Sequence, residues 1–173
     1  MGRLQVGNSR QVVDRTLVHF ERFYWNQSPA FRVMYGGLVV GGSFGVEELP
    51  VVLVVEDDQS LQSIVEESLT DGGFEPAIAP SGEEAVTLLK SGLTKYRALV
   101  TDINLSGTMS GWEVAKRARE IDPEFPVVYM TGTSAEDYGS QGVPNSILLN
   151  KPFAHAQLVT DVAQLLNAGT PPK

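Results

Sequence analysis

From Pro50 onward, short runs of apolar, mostly β-branched residues alternate with longer segments whose apolar positions recur every three or four residues. The runs Val51 to Val55, Phe74 to Ala79, Ala98 to Val100, Val127 to Met130 and Ser146 to Leu149 predict five short strands buried on both faces. Between them, Leu61, Ile64, Val65 and Leu69 predict the inward face of a first helix. That helix stops at Asp71-Gly72-Gly73, where glycine can adopt the left-handed cap conformation. Ser81 with Glu84, and Ser110 with Glu113, have the spacing of capping boxes and predict the starts of the second and third helices. A short fourth helix is expected near Ser134 to Gly139, and a fifth from about Ala154 to Asn167 with Leu158, Val162, Leu165 and Leu166 inward. Strands alternating with helices require right-handed crossovers, so the class is α/β, a parallel sheet covered on both sides.

In such sheets ligands sit outside the carboxyl ends of the strands. The first strand ends in Glu56-Asp57-Asp58, the third in Asp102, the fourth in Thr131 and the fifth in Lys151-Pro152. Each group alone has an ordinary reading: Asp57 or Asp58 as a helix N-cap, Asp102 and Thr131 as turn residues, Lys151 as a solvated surface charge. Together they place acids, a hydroxyl and a base on one rim. Several carboxylates brought that close repel one another, which is costly without a cation. Oxygen-only ligands select Mg²⁺, Mn²⁺ or Ca²⁺ over zinc. A cation, an ammonium and a hydroxyl would clamp the three oxygens of a phosphoryl group, so the rim looks built to phosphorylate a carboxylate.

Composition narrows the chemistry further. The 173 residues carry a formal charge of −8 and no cysteine, which removes disulfides, thiol nucleophiles and thiolate metal sites. Only His19 and His155 could serve as imidazole ligands, so structural zinc is excluded. The acidic balance argues against a nucleic-acid partner, because neutralising phosphates takes clustered Lys and Arg. Charge is also uneven: residues 1–46 hold five Arg against two acids, and residues 47–173 hold eight bases against nineteen acids.

The segments VVLVVEDD, ALVTDIN, VVYMTG and LLNKPF, in that order, resemble the receiver domain of two-component response regulators, over about Val51 to Asn167. The resemblance implies a flavodoxin-like, doubly wound, five-stranded sheet of order 2-1-3-4-5 with five helices. It implies Asp102 as phosphoacceptor, Asp57 as a direct Mg²⁺ ligand, Glu56 as a water-mediated one, and the backbone carbonyl of Asn104 as another. Thr131 would be the switch hydroxyl, Lys151 the phosphoryl-binding ammonium, and the Lys151-Pro152 peptide cis. The donor would be a sensor histidine kinase or a histidine phosphotransfer protein, and the recipient of the signal a further protein partner. Asn104 and Thr133 would govern water access to the acyl phosphate, and hence its lifetime.

Three features depart from the family pattern. Leu148 stands three before Lys151, where a rotating aromatic is usual. The loop after Asp102 lacks the usual proline, and its glycine, Gly111, comes nine residues on rather than eight. Only 22 residues follow Lys151, so a stand-alone receiver over residues 49–168 with a short 169–173 tail is expected, without a DNA-binding output domain.

Residues 1–48 form an N-terminal extension that the resemblance does not explain. Residues 11–25 have a mixed apolar face suited to a docking or dimerisation helix, which makes a homodimer one expectation and a flexible extension the competing one. The apolar stretch Val33 to Val46 is shorter than the roughly 20 residues of a spanning helix and is broken by glycines, so no membrane insertion and a cytoplasmic location are expected. Two rival functions fit parts of the pattern. A haloacid-dehalogenase-like phosphoaspartyl phosphatase would use Asp102, but it needs a second carboxylate where Asn104 stands. A receiver-like module that binds partners without phosphorylation would account for Leu148 and the altered loop.

Overall fold

The computed structural model describes residues 48–168, and the expectations for residues 1–47 and 169–173 lie outside the described residues. Five strands, β1 (Val51–Val55), β2 (Glu75–Ala79), β3 (Tyr96–Asp102), β4 (Val127–Thr131) and β5 (Ile147–Asn150), form one parallel sheet of order β2-β1-β3-β4-β5. The helices are α1 (Gln59–Asp71), α2 (Gly82–Ser91), α3 (Gly111–Ile121), α4 (Tyr138–Gln141) and α5 (His155–Ala168). The chain moves outward from β1 to β2 and returns on the other side of β1 to β3. The strand order therefore reverses between β1 and β3, and their carboxyl ends flank the crevice.

Alternate residues of each strand face opposite sides of the sheet, and both sides are covered. Val52, Val54, Val100, Val128, Met130 and Leu149 pack against Val65 and Leu69 of α1 and Leu158 and Val162 of α5. Leu53, Val55, Leu99, Val127 and Tyr129 pack against Ala85 of α2 and Trp112, Val114, Ala115 and Ala118 of α3. The continuous apolar runs of β1, β3 and β4 follow from this double burial, whereas the edge strands β2 and β5, expected to be buried on both faces, are mostly half-buried.

Local chemistry sets the ends of the helices. Asp58, not Asp57, caps α1, its Oδ1 accepting the N–H groups of Ser60 (2.8 Å) and Leu61 (3.1 Å). At the other end Gly73 takes the left-handed conformation (φ 82°), while Gly72 stays right-handed, where a Cβ would lie 2.7 Å from Val159 Cγ2. The capping box is complete at Ser110, whose Oγ accepts from the Glu113 N–H and whose own N–H donates to Glu113 Oε2. At Ser81 only the bond from the Glu84 N–H is made, so that box is half formed.

Further sequence expectations need correction. Ile64 is 39% exposed, because the inward row of α1 runs through Val65, Ser68 and Leu69. Leu165 and Leu166 are half-buried rather than fully inward. β3 extends beyond Ala98–Val100 at both ends, since paired polar residues continue a ladder as well as apolar ones do. The single helix expected at Ser134 to Gly139 is instead a 3-10 turn, Ala135–Asp137, leading into the one-turn α4.

Candidate functional site

Three strand ends bring their charges together on one face. The ladder continues one step past β1 through the Glu56 N–H, which donates to the Ala79 carbonyl (3.3 Å), so Glu56 stays buried at 1% exposure. Its backbone carbonyl accepts from Gln62 Nε2 (2.7 Å), and its Oε1 accepts from the Asp58 N–H (3.2 Å). The same extension past β5 runs from the Lys151 N–H to the Thr131 carbonyl (2.7 Å), and the Lys151-Pro152 peptide is cis. Lys151 Nζ then donates to Glu56 Oε2 and Asp102 Oδ2, each at 2.8 Å.

Asp57 completes the cluster. One carboxylate oxygen from each of Glu56, Asp57 and Asp102 lies within 4.8 Å of the others. Among the described residues the Lys151 ammonium is the one cation paired with this cluster, through Glu56 and Asp102, so three acids face a single positive charge. Such a set of hard oxygen donors fits a magnesium-class divalent cation. Burial pushes the Glu56 carboxyl above its ordinary value despite the hydrogen bond from Lys151. Burial also acts to lower the Lys151 ammonium, but its bonds to Asp102 and Glu56 outweigh this and hold it above the usual lysine value. The hydrogen bond from Ser106 holds the Asp57 carboxyl below its ordinary range.

Thr131 and its neighbours form a second group. Thr131 is fully buried, and its Oγ1 accepts the N–H groups of Thr133 (3.2 Å) and Ser134 (2.8 Å) rather than contacting the acids. The exposed Asn104 side chain reaches the same loop: its Nδ2 donates to Thr133 Oγ1 (3.4 Å), and its Oδ1 accepts from Ser134 Oγ (3.0 Å). The Asn104 N–H donates to Asp102 Oδ1 (3.1 Å), so this residue spans both groups. His155 is exposed at the start of α5.

Leu148 pairs in register with Tyr129 and packs half-buried on the α2–α3 side. Aromatic rings stand beside it after all. Tyr129 lies with its ring centroid 4.5 Å from Trp112 and 6.1 Å from Tyr138, whose hydroxyl donates to the Ser146 carbonyl (2.6 Å). Gly111 is confined by the site itself, since a Cβ there would sit 2.0 Å from the Asp102 carbonyl oxygen.

The sequence reading missed Ser106, Ser134, Glu83 and Tyr138. Ser106 donates its N–H to Asp57 Oδ2 (3.2 Å), and Glu83 accepts from Thr108 in the loop after β3. Ser106, Ser134 and Glu83 meet partners 49, 30 and 25 residues away, and Tyr138 one eight away, so no local motif announces them.

Residues 52–163 match the family described as the response regulator receiver domain. Response regulator receiver protein CpdR of Brucella abortus is 29% identical over 119 residues, covering 68% of this chain and 97% of that protein. Transcriptional regulatory protein PrrA of Mycobacterium tuberculosis is 35% identical over 119 residues, but the chain spans only 50% of its length. The crystal structure of a response regulator receiver protein from Sinorhizobium medicae superposes with a TM-score of 0.68 at 46% identity, covering 70% of this chain and 97% of that one. No helix among the described residues is long and apolar enough to cross a membrane. With the sheet order, the acidic crevice and these matches in agreement, the chain belongs to the response regulator receiver family of two-component signalling.

Proposed function

We propose that this protein is a stand-alone phosphoacceptor switch in which Asp102 takes a phosphoryl group from the phosphohistidine of a sensor histidine kinase or histidine phosphotransfer protein. The observation that carries the reading is the Lys151 ammonium, bonded to Asp102 Oδ2 and Glu56 Oε2 at 2.8 Å beside the carboxylate of Asp57. Asp57, Asp102, the Asn104 backbone carbonyl and, through water, Glu56 would hold Mg²⁺. Bound there, the cation supplies charge neutralisation at the transferring phosphoryl group. The near-complete coverage of CpdR supports the stand-alone part of the reading.

In the transfer, an Asp102 carboxylate oxygen forms the new bond to phosphorus as the phosphorus–nitrogen bond breaks, and the imidazole leaves with the electron pair. Lys151 already touches Asp102 and is placed to meet a phosphoryl oxygen as charge spreads over the group. The product acyl phosphate offers the Thr131 hydroxyl an acceptor. To reach it, Thr131 gives up the N–H groups of Thr133 and Ser134, and the 3-10 turn and α4 that follow must repack. Asn104 and Thr133 flank the acyl phosphate and limit the approach of water.

The test is intact-mass measurement after incubation with a small phosphodonor and Mg²⁺. One added phosphoryl group, absent in Asp102→Ala and in the metal-free reaction, is the expected result. Continuous turnover of phosphomonoesters without an adduct would point to the phosphatase reading instead. No reaction at all would leave a binding module.

A further inference from the structure

We propose that Glu83 is a positioning residue for the metal-binding edge of the site, latching the β3–α3 loop from the first turn of α2. This rests on the receiver reading of Asp57, Asp102 and Asn104. The loop leaves β3 after Asp102 and closes at its base, where the Gly111 N–H donates to the Ile103 carbonyl (3.0 Å). Leu105 and Met109 pack against the core on the α2–α3 side, while Ser106, Gly107 and Thr108 between them form an exposed tip. That tip contains no proline, and a glycine sits at its centre, so the backbone alone does little to order it.

Two carboxylates hold it. Asp57 Oδ2 accepts from the Ser106 N–H (3.2 Å), and Glu83 Oε1 accepts from both the Thr108 N–H (3.1 Å) and the Thr108 Oγ1 (2.6 Å). A Cβ on Gly107 would lie 3.3 Å from Glu83 Oε2, so the carboxylate sits directly against the loop. The anchor beneath Glu83 is firm: neighbouring Gly82 is buried, and a Cβ there would lie 2.9 Å from Val114 Cγ2 of α3. Hydrogen bonding from Thr108 holds the Glu83 carboxyl below its ordinary value, so the acceptor is ionised at neutral pH.

The latch matters because Ser106 and Asn104 lie two and four residues before Thr108. With Thr108 held, the chain from Asp102 to the tip has both ends fixed, and the Asn104 main chain is ordered before a cation arrives. Without Glu83 that ordering is required at the moment of binding, and affinity falls.

Mg²⁺ titrations of the full chain, followed by the backbone amide signals of Asn104 and Ser106, test this together with amide hydrogen exchange in metal-free buffer. Glu83→Ala should weaken Mg²⁺ binding about three- to tenfold and speed exchange at Thr108 and Ser106. Glu83→Gln, which keeps an acceptor oxygen, should stay close to the parent chain. Glu84→Ala removes a carboxylate from the same helical turn without touching the loop, and it should match the parent in both measurements. Parent-like Mg²⁺ affinity in Glu83→Ala, or an equal loss in Glu84→Ala, overturns the role assigned to Glu83. A parent chain that shows protected Thr108 exchange yet binds no Mg²⁺ overturns the metal site itself, and with it that role.

Discussion

On one side of the sheet Val54, Val100, Met130 and Leu149 meet α1 and α5 through largely aliphatic contacts. On the other side Tyr129 packs between Trp112 and Tyr138. The phenols there are tied to backbone, Tyr129 accepting from the Val143 N–H (3.3 Å) and Tyr138 donating to the Ser146 carbonyl. The side chains of the candidate site divide along the same line, because strand residues two apart share a face. Glu56, Asp102 and Lys151 follow Val54, Val100 and Leu149 and so extend the aliphatic side. Thr131 follows Tyr129 and extends the aromatic one. Lys151 and the two acids it bonds are thus seated on a face held by shape, while Thr131 and, two after Val55, Asp57 lie toward a face whose polar bonds can be exchanged.

The strongest way to break this contrast is to cut into the aliphatic side. Leu158 is fully buried there, and Leu158→Ala should cost about 2–5 kcal/mol in urea unfolding, with no hydrogen bond available to soften the cavity. A loss under about 1 kcal/mol would mean that this side repacks as readily as the other. On the aromatic side, Tyr138→Phe keeps the ring and removes only the bonds to Ser146. It should lose about 0.5–1.5 kcal/mol by the same measurement.

Alkaline unfolding sharpens the contrast and leaves stability at neutral pH unchanged. Burial pushes the Tyr129 phenol from 10.0 up to about 12. A group with a raised folded-state value contributes stability that is fully present below its unfolded value and fades as pH climbs through the folded one. Urea midpoints should therefore fall more steeply between pH 10 and pH 12 for the parent chain than for Tyr129→Phe. Parallel curves would show that the phenol is not the group responsible.

Much of this was legible because doubly buried parallel strands leave unbroken apolar runs. Val51–Val55 was bounded correctly from sequence, and β4 was missed by a single residue, Thr131. The carboxyl-end residues Glu56, Asp57, Asp102 and Lys151 were legible for the same reason, since each follows such a run and the topology collects them. What escaped was whatever depends on a partner brought from elsewhere. Glu83 meets Thr108 across 25 residues, and nothing near Glu83 marks it. Ile64 had the right spacing but lies on the shoulder of α1, where the inward row has already turned past it. The α4 region carries few apolar residues, and it folded around one of them, Tyr138, rather than along a helical stripe.

The bond between Lys151 and Glu56 joins residues 95 apart in the chain. During synthesis the three acids leave the ribosome long before their ammonium does. A nascent chain that ends short of β5 thus carries acids without their ammonium, and the two ion pairs close only when the last strand docks.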